Sequence, residues 1–407
     1  MTALLALAAV AAMAHPGLVG DDWRLSLDGQ IRPRFVAHAG RDFVGTDPVE
    51  QIYVSQRTRL GAVFQHDDGT ALTLRLQDVR FWGEEDGTLD AAAAGLDLHE
   101  AFLALPLFEG AEVRVGRQEI AWDQQRLIGV VGWTQRARAF DALRLRWADE
   151  AADVELLATA LATSANSHGP TGDADGHVDP SRTKDTFLLG THAHARLAEG
   201  VDIAALYLLR RDGALEEKRH TAGGLISLNT ARVSGRLEGY YQLGDLGEES
   251  IGAWLAGARL AWTPDAAMAP RFEVIADVVS GDGTPTGAFD TLYGTNHGYY
   301  GEADLFIALP PHTALLGLVD LGGRVSLKPR ADLTLAGAFH AFTSVEPGPD
   351  DATDFGEEID LTVDWRATER FTLAGLATLV LPGDLWTAVR GGDKAEQALF
   401  VTGDFGF

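Results

Sequence analysis

The chain has 407 residues, with 59 acidic side chains against 33 basic ones and a formal net charge of −26. That balance excludes nucleic acid as a partner, because phosphates are repelled, and the absence of cysteine excludes disulfides, thiolate metal sites and cysteine nucleophiles while suiting an oxidising compartment. Only four lysines, Lys184, Lys218, Lys328 and Lys394, stand beside 29 arginines, so this acidic protein relies on the cation that stays charged when partly buried and forks onto carboxylates.

The first predicted element is an export segment. Residues 1–14 carry an apolar run, Leu4 to Val10, and the small-x-small pattern Ala12-Met13-Ala14 before His15, which reads as a cleaved signal peptide although no Lys or Arg precedes the run. Residues 15–407 then read as one domain without a linker or composition break. No later stretch approaches the roughly 20 uninterrupted apolar residues that a membrane helix needs, so a membrane crossing has to be made with strands.

The periodicity that follows is two. Trp23, Leu25, Leu27, Ile31 and Phe35 share one face, and Arg24, Ser26, Asp28, Gln30, Arg32 and Arg34 share the other. The same division sets Val233, Leu237 and Tyr241 against Arg232, Ser234, Arg236, Glu238 and Gln242, and Ile359, Leu361, Val363 and Trp365 against Glu358, Asp360, Thr362, Asp364 and Arg366. Short turn signals alternate with long polar runs. The short ones are Asp67-Asp68-Gly69, Glu199-Gly200, Lys328-Pro329-Arg330 and Thr368-Glu369; the long ones span Ser164 to Thr183, Gly281 to Tyr299, Glu346 to Phe355 and Pro382 to Lys394. Short periplasmic turns and long extracellular loops are the pattern of a transmembrane antiparallel β-barrel, here of roughly eighteen strands. A soluble β-sandwich also alternates, but its polar face meets bulk water and has no reason to prefer arginine over lysine. The ending separates the two: Leu399, Val401, Phe405 and Phe407 alternate with Ala398, Phe400, Thr402, Asp404 and Gly406, like the closing strand by which outer-membrane barrels are recognised for insertion.

Between Arg57 and Leu145 runs a series of short words: Arg57-Thr58-Arg59-Leu60, Leu76-Gln77-Asp78-Val79-Arg80, Gly116-Arg117-Gln118-Glu119, Gln125-Arg126-Leu127-Ile128-Gly129, Trp133-Thr134-Gln135 and Phe140-Asp141-Ala142-Leu143. Further on come Phe289-Asp290-Thr291-Leu292-Tyr293, His297, Gly301 and Asp304. In order and spacing these resemble the alginate export family of outer-membrane channels. The resemblance implies a monomeric barrel in the Gram-negative outer membrane, with an arginine-lined lumen that passes a polyuronate.

The residues lead to the same lining. Arg57 and Arg59 oppose Leu60 and Phe64; Arg75 and Gln77 oppose Leu74 and Leu76; Arg114 and Gln118 oppose Val113 and Val115; Arg144 and Arg146 oppose Leu143 and Leu145. A charge facing lipid near the midplane costs roughly 2–4 kcal/mol, so the arginines are expected to face the lumen and Leu60, Leu74, Val115 and Leu145 the lipid. The alternation slips where Asp78 and Arg80 follow the phase of Leu74, and where Arg117 and Glu119 follow Val115. A β-bulge or a strand end accounts for both slips, and both sets are counted with the lumen. The expected lining is therefore Arg57, Arg59, Arg75, Asp78, Arg80, Glu100, Arg114, Arg117, Glu119, Arg126 and Arg144, the interspersed acids keeping any one site from holding an anion too tightly.

Other groups read blandly. His192 and His194 sit two apart on a strand face, a metal-ligand spacing without a third ligand. Asp173, Asp175 and Asp179 resemble part of a calcium loop, but Lys184 stands where a bidentate Glu belongs, so no cofactor is assigned and loop calcium stays the alternative. Trp23, Trp82, Trp122, Trp133, Trp147, Trp262 and Trp365 fall near predicted strand ends and suit interfacial girdles. No catalytic motif stands out. The expected function is facilitated diffusion of an anionic polysaccharide or sugar acid by a non-enzyme, with lipopolysaccharide and periplasmic export components as partners. A general or small-anion porin, and a barrel hydrolase, are the alternatives.

Overall fold

The structure, a computed structural model, describes residues 22–40, 50–84, 96–162 and 185–407. The expected signal peptide and the loop holding Asp173, Asp175, Asp179 and Lys184 lie outside the described residues. Eighteen strands follow the chain: β1 (Trp23–Ala39), β2 (Gln51–His66), β3 (Ala71–Phe81), β4 (Asp97–Phe108), β5 (Ala111–Gln118) and β6 (Phe140–Ala148). Then come β7 (Ala152–Ala162), β8 (Thr186–Ala198), β9 (Val201–Asp212), β10 (Glu217–Asn229), β11 (Val233–Leu246) and β12 (Glu249–Trp262). The last are β13 (Arg271–Val279), β14 (Leu318–Arg330), β15 (Leu333–Thr343), β16 (Asp354–Arg366), β17 (Phe371–Pro382) and β18 (Glu396–Gly406). Each pairs antiparallel with its neighbours in sequence, and β1 pairs with β18, so the sheet closes into a barrel with no free edge.

Closure is completed at the C-terminus. Phe407 exchanges two backbone hydrogen bonds with Gly29, at 3.1 and 3.2 Å, and its ring lies where a Cβ on Gly29 would come within 2.3 Å. Glycine at that position makes room for the terminal aromatic.

The alternation seen in the sequence becomes inside and outside. Leu72, Val115, Leu145, Leu237, Phe339, Leu361 and Phe405 are exposed on the outer surface, where hydrocarbon takes the place of water. The start of β1 and the end of β18 lie at one end with the short connections, such as 67–70, 109–110 and 199–200, and the longer connections 119–139, 280–317 and 383–395 lie at the other. Two loop-end connections, 213–216 and 247–248, are nevertheless tight. The one α-helix among the described residues, α1 (Asp384–Arg390), sits in the last loop and stops at Gly391, whose φ of 83° is open to glycine.

Three boundaries differ from expectation. The reversal expected at Lys328-Pro329-Arg330 lies instead at Ala331-Asp332, because β14 runs on to Arg330; the register shifts between Leu327 and Arg330, which accommodates a proline without an N–H to donate. The loop expected to end at Tyr299 continues to residue 317, and 119–139, not marked in advance as a loop, leaves the barrel wall entirely.

Gly29→Val is expected to displace the Phe407 ring and destabilise the closed barrel by about 1–3 kcal/mol, the usual cost of overpacking. Gly375→Ala, whose added Cβ meets nothing within 4 Å, is expected to have no effect. The temperature at which the folded band is lost on gels measures both.

Candidate functional site

A wall segment contacts only its neighbours, whereas 119–139 touches strands from opposite sides of the ring. Its Gly132, Thr134 and Gln135 meet Arg32 on β1, its Asp123 meets His192 on β8, and its Gln124 meets Arg236 on β11. Only a path across the interior allows this. Residues 280–317 do the same, from Asp290 with Arg210 on β9 to the Ala303 N–H donating to Glu358 on β16 at 2.7 Å. The two segments then pair with each other. Gly129 N donates to Tyr293 O at 2.8 Å and Tyr293 N to Leu127 O at 2.9 Å, a single parallel bridge between Ile128 and Tyr293, and Thr295 N donates to Gln125 O at 2.8 Å beside it.

Apolar side chains seal the bridge. Ile120, Leu127, Ile128, Phe289, Leu305 and Phe306 are fully buried in one cluster with inward side chains of the wall, each contributing about 1.5–3 kcal/mol. Polar anchors fix its position. Arg126 is completely buried, with Nη2 2.6 Å from Asp277 and Nε 3.5 Å from Glu238, and its guanidinium lies 4.1 Å over the Tyr299 ring. Burial opposes that charge, but the two carboxylates outweigh it and hold the guanidinium protonated well beyond its ordinary range. Trp133 joins the two segments again: its ring stacks on His297 at 4.1 Å, its Nε1 donates to Asp304 at 3.1 Å, and Asp304 accepts from His297 Nδ1 at 2.7 Å.

Around this bridge the arginines of β1 to β3 form a basic wall. Arg32 donates to Gly132 O at 2.8 Å and Thr134 O at 2.7 Å. Arg34 lies 3.9 Å over the Trp133 ring and donates to Thr402 at 3.0 Å. Arg57 donates to Gln30 at 2.9 Å. Arg59 reaches Gln77 at 2.7 Å and Glu119 at 3.2 Å, and Arg75 bridges Asp28 at 2.5 Å and Glu100 at 2.9 Å. Glu119, one residue past β5, turns inward; burial opposes its charge, but His99 at 2.7 Å and Arg59 hold its carboxyl below the ordinary range.

The expected lining thus divides. Arg57, Arg59, Arg75, Glu100, Arg114, Glu119 and Arg144 stand on the inner face, Arg114 paired with Glu112 at 2.6 Å and Arg144 with Glu155. Asp78 and Arg80 do not. The β2–β3 register is unbroken from Gln65 opposite Ala71 to Ser55 opposite Phe81, so both keep the outward phase of Leu74 and Leu76 and pair with each other at 2.7 Å at the loop end of β3. The irregularity falls in β4 instead: Arg75 faces Glu100 while Leu76 faces Leu98, and the extra residue turns His99 and Glu100 inward together. Arg117 likewise keeps the outward phase of Val115 and pairs with Asp141 at 3.1 Å. Arg126 lies inside, but buried in the bridge rather than open to a permeant. Trp122 and Trp133, expected at strand ends, belong to the bridge, Trp122 donating to Glu155 and stacking on His192.

Comparison with known proteins agrees with this architecture. The profile of the alginate export family matches residues 23–400. The chain belongs to the alginate export family. No curated protein matches its sequence closely enough to add a relative. Among solved structures, OccD3 (OpdP) of Pseudomonas aeruginosa superposes with a TM-score of 0.61 at 10% identity, covering 94% of this chain and 91% of that one. The outer membrane protein OpdK of Pseudomonas aeruginosa gives 0.61 at 10%, covering 94% and 99%, and OccAB4 of Acinetobacter baumannii gives 0.63 at 11%, covering 94% and 98%. This alginate export family member is therefore an outer-membrane β-barrel channel, and its eighteen-stranded closure is the fold those structures share.

Sequence reasoning passed over Arg32, Arg34, Arg138, Arg259 and Arg271 as individual site residues. The polar-face alternation marks Arg32 and Arg34; nothing local marks Arg138, which donates from the first segment of the bridge to Gly129 O in its own segment and to Tyr293 O in the second. Because breaking a buried ion pair by removing one partner costs about 3–5 kcal/mol, Arg126→Met should lower the unfolding temperature strongly and make the open-channel current noisy. Arg114→Gln, half-exposed beside Glu112, should cost no more than about 1 kcal/mol. Thermal melts and single-channel traces of the two variants decide the matter.

Proposed function

We propose that this channel passes an anionic sugar acid or polyuronate by facilitated diffusion along the wall made by β1 to β3. One observation carries the reading: Arg32, Arg34 and Arg57, buried where the inner face meets the bridge, lie side by side with no carboxylate within 4.0 Å among the described residues and act on the path through their field, while most other inner arginines are neutralised by an acid on the same or a neighbouring strand. A row of cations without counter-charges lowers the barrier for a chain of carboxylates and raises it for cations. Arg59 and Arg75, shared with Glu119 and Glu100, continue the row at reduced strength, so an anion is passed on rather than trapped.

The net charge of −26 does not oppose this. Charges outside the pore are screened within about 8 Å at physiological salt, whereas a low-dielectric lumen focuses the field of the nearest groups. The outer acidic loops are assigned to divalent cations and lipopolysaccharide, the barrel is taken as a monomer, and periplasmic export components are its expected partners.

A small-anion porin is the second reading, favoured by the bridge itself, which narrows the path for a polymer. A barrel hydrolase has less support: His297 and Asp304, an acid–base pair within the lumen, engage Trp133 and each other, and no nucleophile hydrogen-bonds to either among the described residues. Blocking of chloride current by uronate oligomers of graded length separates the first two. Oligomers are expected to block the wild type increasingly with length, Arg57→Gln with Arg59→Gln to weaken the block several-fold, and Arg330→Gln, paired with Asp332 at the turn-end rim, to leave it as it is. Oligomers that block no better than chloride competes would favour the small-anion porin.

A further inference from the structure

We infer that the turn-end mouth of the barrel holds a subsite for a single uronate unit, built by β10 to β13 and separate from the β1–β3 wall. This rests on the channel reading above and adds to it a place where the substrate is held.

A cavity of about 380 Å³ opens there, lined by Ser227 and Asn229 at the end of β10, Arg236 near the start of β11, Arg259 near the end of β12, and Arg271 and Glu273 at the start of β13. Its roof is the bridge, through Gln124 and Tyr299. Small-molecule sites run from about 300 to 1,000 Å³, so this volume suits one sugar ring rather than an oligomer.

The charges are arranged for a carboxylate. Arg271 donates to Ser234 Oγ at 2.9 Å and meets Glu273 at 3.0 Å. Arg259 is only loosely held by acids, 3.9 Å from Glu273 and 3.8 Å from Asp277, and spends its Nη2 on the carbonyls of Gly298 and Tyr299. Arg236 meets Glu238 at 3.2 Å and donates to Gln124. The Tyr299 ring gathers these cations: Arg259 lies 5.1 Å and Arg236 5.3 Å from its centroid, with Arg126 nearer at 4.1 Å. With Arg126 included, four guanidiniums face three acids, Glu238, Glu273 and Asp277. Glu238 and Asp277 are buried on the inner face against Arg126 of the bridge, which leaves Glu273 as the one acid lining the cavity against three arginines.

The remaining lining is suited to a sugar. Ser227, Asn229, Ser234 and Gln124 present hydroxyl and amide groups on the same wall as the guanidiniums. An inorganic anion needs none of them, and a neutral sugar needs no arginine. A uronate uses both, with its carboxylate on the arginine fork and its hydroxyls on the polar rim. Because the cavity lies at the end with the short turns, where β1 starts and β18 ends, it faces the periplasm in the ordinary orientation of such barrels, and it captures a free uronate or the terminal unit of a polymer from that side.

The test is single-channel recording on the full chain, with D-glucuronate, D-glucose and inorganic phosphate added to each side in turn. Glucuronate on the turn side is expected to interrupt the current at a concentration about tenfold or more below that needed for glucose, phosphate, or glucuronate on the loop side. Arg236→Gln with Arg271→Gln is expected to weaken that block at least about tenfold, since two charge-assisted bonds are lost. Ser227→Trp, which fills the cavity and removes no charge, is expected to abolish it. Equal block by phosphate or glucose overturns the assignment, as does a block that survives both variants. A wild-type channel that prefers cations yet is blocked by glucuronate from the turn side would sink the anion-channel reading and leave the subsite standing.

Discussion

Closing eighteen strands encloses an interior far wider than one layer of inward side chains can fill, and this chain solves the problem with backbone. Segments 119–139 and 280–317 enter the lumen, pair with each other through Leu127, Tyr293 and Thr295, and bury their own apolar residues against the wall. Non-helical backbone is tolerated at membrane depth only where its polar groups find partners. Here the arginines supply many of them: Arg32 takes carbonyls from 132–134, Arg138 those of Gly129 and Tyr293, and Arg259 those of Gly298 and Tyr299.

That use of guanidinium explains why 29 arginines accompany four lysines. A planar group with five donors can hold two or three backbone carbonyls and still present charge, which an ammonium cannot match in geometry. Some arginines, such as Arg126, are wholly spent as anchors. Others keep their charge for the path, and the division falls by strand: the β1–β3 wall is poor in carboxylates beside its arginines, whereas β13 to β16 carry Asp277, Asp320, Glu358 and Asp360. The lumen is therefore electrically lopsided rather than uniformly basic.

Much of the barrel was legible because lipid imposes a strict rule on one face. Leu361, Val363 and Trp365, or Leu399, Val401 and Phe405, need a period of two to stay outside, and no tertiary contact can excuse a lapse. The inner face obeys no such rule. On β12, Ile251, Ala253 and Leu255 point inward and are apolar, since they pack on the bridge, so both faces of that strand are greasy and Arg259 is easily passed over. The bridge itself hid for the same reason. Ile120, Leu127 and Ile128 resemble wall residues in composition, and only the close family words around Arg126 and Trp133 hint that something other than a strand runs there. Asp78, Arg80 and Arg117 misled in the opposite direction: charges in an outward phase allowed a bulge or a strand end and were counted with the lumen, but each sits outward at the loop end of its strand beside an opposite charge. The real bulge, at His99 in β4, breaks no obvious pattern because histidine and glutamate are both at home in a lumen.

The account stands on the arginines of β1 and β2 governing what passes, despite an overall charge of the opposite sign. The reversal potential of the wild-type channel across a potassium chloride gradient tests this with nothing removed and no substrate assumed. A shift toward the chloride equilibrium potential is the predicted result. A shift toward that of potassium would show that the interior acids, not the β1–β3 wall, control the pore, and would contradict the account.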